Sequence, residues 1–163
     1  YKGQEYIIKA LGELKKRGIN RFRYMLVGNG SDVYLKDVAE RYGVSDKVHF
    51  LGGMPHEKVF EWLDSIDIYA QPSKTEGLPR AVIEAMSRGL PVIGSETGEI
   101  PQLISGESCF KVGDYKAIAA ILENLNAERL VKMSMENFKR AHDFEKSMLD
   151  KKRNDFYREF IAF

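Results

Sequence analysis

The sequence predicts an α/β fold, a parallel sheet with helices on both faces. Three observations carry this. Short apolar runs alternate along the chain with longer segments whose apolar residues recur at spacings of three and four. The connections are short and marked by glycine or proline, as in repeated strand–helix units. The runs are continuously apolar rather than alternating, as strands covered on both faces must be.

Each element has its own justification. In residues 4–17, Tyr6, Ile7, Ala10, Leu11 and Leu14 share one helical face, and Gly18 is the stop. Residues 23–27 form a buried strand that runs into the turn Gly28-Asn29-Gly30. Ser31 or Asp32 can cap the next helix, which carries Val33, Leu35, Val38, Ala39 and Tyr42 and ends at Gly43. The unit then repeats. Residues 47–51 are a strand, Gly52-Gly53 a turn, and Pro55 starts a helix through Val59, Phe60 and Leu63. Residues 66–70 are a strand and 71–77 a polar loop. Pro79 opens a helix with Ala81, Val82, Ala85 and Met86, closed by Gly89. A strand over 90–94, a loop over 95–98, a short helix over 100–105 and a last strand over 108–112 follow. Beyond Gly113 only helices are expected, over 115–124, 127–142 and 144–163.

Composition narrows the function. At 163 residues the chain has the length of one domain, 1–163, and can hide roughly 70% of its unfolded surface. Its 25 Lys and Arg against 24 Asp and Glu leave a net charge of +1, which excludes a polycationic nucleic-acid binder. Cys109 is the single cysteine, so no internal disulfide or Cys-rich metal site can form. No apolar run approaches the ~20 residues of a membrane span, and no signal peptide is visible, so the expected location is cytoplasmic. The chain opens at Tyr1-Lys2-Gly3, without Met and almost directly into a helix, and reads as a fragment of a larger protein.

In sheets of this kind ligands bind beyond the carboxyl ends of the strands. The loop around Ser73-Lys74-Thr75-Glu76-Gly77-Leu78-Pro79 is the most informative there. It leads into a helix start, whose free N–H groups and positive dipole end favour an anion such as phosphate. Glu84 follows Glu76 by eight positions, and two such carboxylates can each accept hydrogen bonds from vicinal sugar hydroxyls. The competing reading leaves Glu76 solvated and pairs Glu84 with Arg80 or Arg88.

Pro72-Ser73-x-x-Glu76-Gly77-x-Pro79, continued by Glu84-Ala85-Met86-x-x-Gly89-x-Pro91-Val92-Ile93, closely resembles the signature of retaining family 4 glycosyltransferases of the GT-B fold. Further matches fall in the same order: Lys2-Gly3, Val27-Gly28-x-Gly30, Val48-x-Phe50-Leu51-Gly52, Asp67-Ile68-Tyr69, and Ser95-x-x-Gly98-x-x-Pro101-x-Leu103-Ile104. The resemblance spans residues 2–115. It implies the Rossmann-like, carboxy-terminal donor-binding half of such an enzyme, which moves a sugar from a nucleotide diphosphate sugar to an acceptor hydroxyl with retention, as in glycan or polysaccharide biosynthesis. Glu76 and Glu84 would be the catalytic pair, Glu84 holding the ribose and Glu76 the donor sugar, helped by the backbone of Gly77, Leu78 and Pro79. Lys2 would neutralise the diphosphate, Gly28 and Gly30 would form the glycine loop, and Gly53 and Met54 would line the nucleobase. No metal is implied, and His49, His56 and His142 are scattered.

Departures accompany the match. The family's phosphate-binding Arg, the domain's first strand and the acceptor-binding amino-terminal domain all precede its Lys-Gly, in a segment this sequence does not contain. Glu99 and Gln102 replace a frequent Gly and Glu, and Ser31 a frequent Pro. An acidic Glu99 must point away from a phosphate. The isolated fragment is expected to be inactive or weakly active, since nothing positions an acceptor.

Several side chains have bland readings. His56 reads as a solvated helix-start residue, Lys74 and Arg80 as surface charges, Cys109 as a small core residue, and Trp62 as packing between helix and sheet. The tail, about 127–163, interleaves Lys139, Arg140, Lys146, Lys151, Lys152, Arg153 and Arg158 with apolar residues. Packing toward the absent amino-terminal domain is favoured over a peripheral membrane contact. A sugar or lipid-linked acceptor would bind through that domain. The alternatives are a non-catalytic nucleotide-sugar binding module, another GT-B enzyme such as a sugar-nucleotide epimerase, and a signalling domain with protein partners only.

Overall fold

A computed structural model describes residues 2–161, with the backbone alone at positions 159 and 160. The elements run α1 (Gln4–Lys16), β1 (Tyr24–Val27), α2 (Val33–Arg41), β2 (Val48–Gly52), α3 (His56–Leu63), β3 (Tyr69–Gln71), α4 (Arg80–Ser87), β4 (Val92–Ser95), α5 (Ile100–Leu103), β5 (Cys109–Phe110), α6 (Tyr115–Glu123), α7 (Ala127–Ala141) and α8 (Lys146–Ile161). The tail helix expected over 144–163 begins after a 3-10 turn, and positions 162 and 163 lie outside the described residues.

Every strand pairing is parallel, with a helix between partners, as parallel crossovers demand. The expected continuous sheet is divided. β1 and β2 form one sheet, and β3, β4 and β5 another, in the order β3-β4-β5. Between the edges of β1 and β3 lies a cavity of about 700 Å³, lined by Tyr24, Leu26 and Val27 on one side and Tyr69, Ala70 and Gln71 on the other. No hydrogen-bonded pairing joins β1 to β3 among the described residues.

β4 shows why helices must cover two faces. All four of its residues are buried. Successive side chains point to opposite faces, so Ile93 enters a cluster with Ile8, Leu14, Phe110 and Ile118, and Val92 one with Leu63, Met86 and Ile100. The first cluster belongs to the layer of α1, α2 and α6, and it spans both sheets through Tyr24, Leu26, Val48 and Ala70. The second belongs to α3, α4, α5 and α7. Continuous apolarity thus gave the right burial for β4. β2 is largely exposed beyond Val48, because it is an edge strand.

α1 terminates as the sequence requires, with Ile19 N–H bonded to Leu14 C=O at 2.9 Å. Asp32 flanks α2 without capping it through its side chain, and pairs instead with Lys36 at 2.7 Å. Cys109 is half-buried against the second cluster. No helix among the described residues is long and apolar enough to cross a membrane.

Candidate functional site

The candidate residues gather where the strands end. Gly28 follows β1, Gly53 follows β2, the 72–79 loop follows β3, and the 96–99 loop follows β4. The 72–79 loop is sewn to its neighbours. Ser95 Oγ donates to Ser73 C=O at 2.6 Å. Glu99 N–H donates to Gly77 C=O at 3.1 Å. A side chain at Gly98, φ +53°, would put Cβ 2.3 Å from Glu76 O, and one at Gly3, φ +67°, 1.9 Å from Pro72 O. Both positions combine left-handed backbone with a close approach, so both need glycine.

Glu76 lies at the centre. Its Oε1 accepts from Lys2 Nζ at 2.5 Å, Gln71 Nε2 at 2.7 Å and Ser73 Oγ at 2.7 Å. Burial pushes the Glu76 carboxyl up, but these three donors together outweigh it and hold the group below the usual carboxylate range. Gln71 and Ser73 are buried, and both are partners that the sequence reading missed. The available signal was a polar Gln at the end of a strand, two positions after Tyr69, where both side chains share a face.

A second ion pair ties α1 to the same loop. Lys74 Nζ meets Glu5 Oε1 at 2.8 Å and lies over the Tyr6 ring, 5.4 Å from its centre. Glu5 is buried; desolvation raises its carboxyl, but the Lys74 hydrogen bond, a backbone hydrogen bond and the charges of Lys74 and Lys9 together lower it. Lys74 is therefore a structural cation rather than a free surface charge.

Glu84, on the second turn of α4, lines the cavity between the sheets together with Lys2, Gln4, Gln71 and Pro72. It pairs with neither Arg80 nor Arg88. Arg88 instead holds Asp64 through two bonds of 2.7 and 2.6 Å, and Glu84 Oε1 faces His56 Nε2 at 3.7 Å. Lys2 and Glu84 thus line one cavity, and Lys2 carries the contact to Glu76.

Gly53 and Met54 line a separate concavity of about 500 Å³ with Pro55, Lys58 and Trp62. His56, two residues beyond Met54, links that rim to Glu84. Asn29 lies against Gly53, and Gly28 N–H bonds Gly52 C=O at 2.8 Å, joining the first two loops. Gly28 and Gly30 do not line the main cavity. Leu78 is exposed. Pro79 flanks α4 at its start and carries no N–H, so Gly77, Leu78 and the first turn of α4 supply the donors in this stretch. Trp62 packs against the second cluster as expected, but its Nε1–H is buried with no hydrogen-bond partner among the described residues. Glu99 is exposed. Among the described residues no group of three or more His, Cys, Asp or Glu comes together as metal ligands.

The arrangement offers a cation, two carboxylates and a helix N-terminus to one polyhydroxylated, anionic ligand. A family profile described as glycosyl transferases group 1 matches residues 1–143. Over 171 aligned residues the chain is 29% identical to protein CapJ of Staphylococcus aureus, covering 96% of this chain and 44% of that protein. Over 135 it is 37% identical to the amylovoran biosynthesis glycosyltransferase AmsK of Erwinia amylovora, covering 77% and 33%. The chain therefore spans less than half the length of these relatives. In fold it is similar to HepE of Anabaena, solved in complex with UDP, with a TM-score of 0.88 and 20% identity over 98% of this chain and 46% of that one.

Proposed function

The chain belongs to the glycosyl transferases group 1 family and has the fold of a carboxy-terminal GT-B domain, and from that premise we propose that it binds the donor in a retaining transfer from a nucleoside diphosphate sugar to an acceptor hydroxyl. The observation that carries this reading is that Lys2 pairs with Glu76 and lines the same cavity as Glu84, which lies on the second turn of α4. Glu84 accepts from the ribose hydroxyls. Glu76 accepts from a hydroxyl of the donor sugar. Lys2 and the first turn of α4 face the diphosphate, with no metal required.

The chemistry follows from charge. The bond between the sugar C1 and the diphosphate oxygen breaks, and its electron pair leaves with the diphosphate. The acceptor oxygen bonds C1 from the same face, and its proton passes to the departing phosphate. Charge on the leaving group grows toward the transition state, so a cation and oriented N–H dipoles stabilise that state more than the ground state. Lys2 is paired with Glu76 without ligand, and a diphosphate recruits it by offering more negative charge.

Calorimetric titration of UDP, GDP and ADP into the chain tests this. One base should bind with a Kd on the order of 0.1–1 mM, about −4 to −5.5 kcal/mol. Glu84→Ala should weaken it at least tenfold. Absence of binding by all three at millimolar concentration overturns the reading.

A further inference from the structure

We propose that Gln71 is a positioning residue for Glu76, and that the Tyr69–Gln71 pair decides which carboxylate oxygen meets a sugar hydroxyl. The inference rests on the reading of Glu76 as the donor-sugar contact and adds the device that aims it.

Gln71 is the last residue of β3 and is buried. A buried amide must satisfy its hydrogen-bonding groups, and here each contact has a direction. Tyr69 Oη donates to Gln71 Oε1 at 2.8 Å. Gln71 Nε2 donates to Ser73 Oγ at 2.9 Å and to Glu76 Oε1 at 2.7 Å. Ser73 Oγ in turn donates to the same Glu76 oxygen. Turning the amide over would set its oxygen against the carboxylate, acceptor against acceptor.

Tyr69 keeps its proton throughout the working range. Burial raises its hydroxyl, and the charges of Glu76 and Glu84 raise it further. The chain of bonds therefore runs one way, from the Tyr69 hydroxyl to the Glu76 carboxylate. It ends on Oε1, together with Lys2, and those donors leave Oε2 to the ligand. Lys2 alone cannot do this, because a diphosphate competes for it. Gln71 is neutral and buried, so it keeps Glu76 in place after Lys2 turns to phosphate, without cancelling the carboxylate's charge.

The test compares affinity for a sugar nucleotide with affinity for the bare nucleotide, using UDP-glucose against UDP, GDP-mannose against GDP and ADP-glucose against ADP. The pair bound by the unsubstituted chain is carried through Tyr69→Phe, Gln71→Leu and Gln71→Glu. Bare-nucleotide affinity should fall less than sugar-nucleotide affinity in Tyr69→Phe and Gln71→Leu. The added affinity from the sugar should fall about tenfold in Gln71→Leu and in Gln71→Glu at pH 7.5, and less in Tyr69→Phe. In Gln71→Glu it should recover at least threefold on acidification to pH 5.5, as protonation of one of the two adjoining carboxyls restores a donor. The unsubstituted chain should show no such recovery, nor would a variant that merely disturbed packing. An unchanged sugar contribution in every variant overturns the role of Gln71 while leaving nucleotide binding intact. Absence of acid recovery in Gln71→Glu also overturns it. Equal affinity of the unsubstituted chain for nucleotide and sugar nucleotide overturns it by removing the contact to be aimed. Failure of every nucleotide to bind overturns the donor-site reading and this inference together.

Discussion

Glu76 and Glu5 are carboxylates that folding makes more acidic. Each is opposed by desolvation and held down by a lysine, with Ser73 and Gln71 adding to the effect at Glu76. Arg88 lowers Asp64 and Lys36 lowers Asp32 in the same direction at the surface. The native state therefore binds fewer protons in acid than the unfolded chain. Stability from these groups is complete above the ordinary glutamate value of about 4.3 and is lost as pH falls through the depressed native values. Urea midpoints at pH 6 and pH 3 should show this fall. Glu76→Gln should be less stable than the unsubstituted chain at pH 6 and should lose less on going to pH 3. The sequence offered Glu76 and Glu84 through their spacing. For Glu84 it offered Arg80 or Arg88, neither of which pairs with it, and for Glu76 no partner, because Lys2 comes from the segment before α1, Gln71 from the end of β3 and His56 from the start of α3.

Helix starts were legible where a side chain does the capping locally. Asp114 accepts from Ala117 N–H at 2.9 Å, and Asn126 from Arg129 N–H at 2.8 Å, so α6 and α7 begin where the sequence put them. Strand limits were less legible, because a strand ends where its partner ends. β3 and β4 are paired over Tyr69–Val92 to Gln71–Gly94, which moves both later than their apolar runs suggest. β5 shortens to two residues because only Gly94 and Ser95 face it. α7 is fixed to this sheet by an unadvertised contact: buried Asn137 donates Nδ2–H to Leu90 C=O at 2.8 Å, just before β4. Asn137→Ala strands that carbonyl and should cost about 1–3 kcal/mol in urea denaturation. Nucleotide affinity should be unaffected, since Asn137 lines neither cavity.

At the scale of the whole molecule, stability resides in the two clusters that sandwich β4, and α8 stands apart from both. α8 packs chiefly against the 142–144 turn, and its described side chains are nearly all exposed. Removing residues 146–163 should therefore shift the Tm by no more than about 3 °C, the equivalent of roughly 1 kcal/mol for a domain of this size, read by thermal denaturation. Removing the burial of Met86 or Ile8 has no such tolerance, since each lies wholly inside a cluster. By itself the sequence determined the strand–helix alternation, the parallel direction, the two-sided burial of β4, and the loop and helix that carry Glu76 and Glu84. Those depend on periodicity, turn chemistry and local spacing, which are written into neighbouring residues. Only the tertiary structure decided that Arg88 belongs to Asp64 rather than Glu84, that Lys2 meets Glu76, and that Gln71 holds Glu76. Arg88 and Asp64 are 24 positions apart and Lys2 and Glu76 are 74 apart, while Gln71 and Glu76, five apart, meet only because the loop between them folds back. Their geometry is set by how the helical layers pack, a property no local pattern encodes.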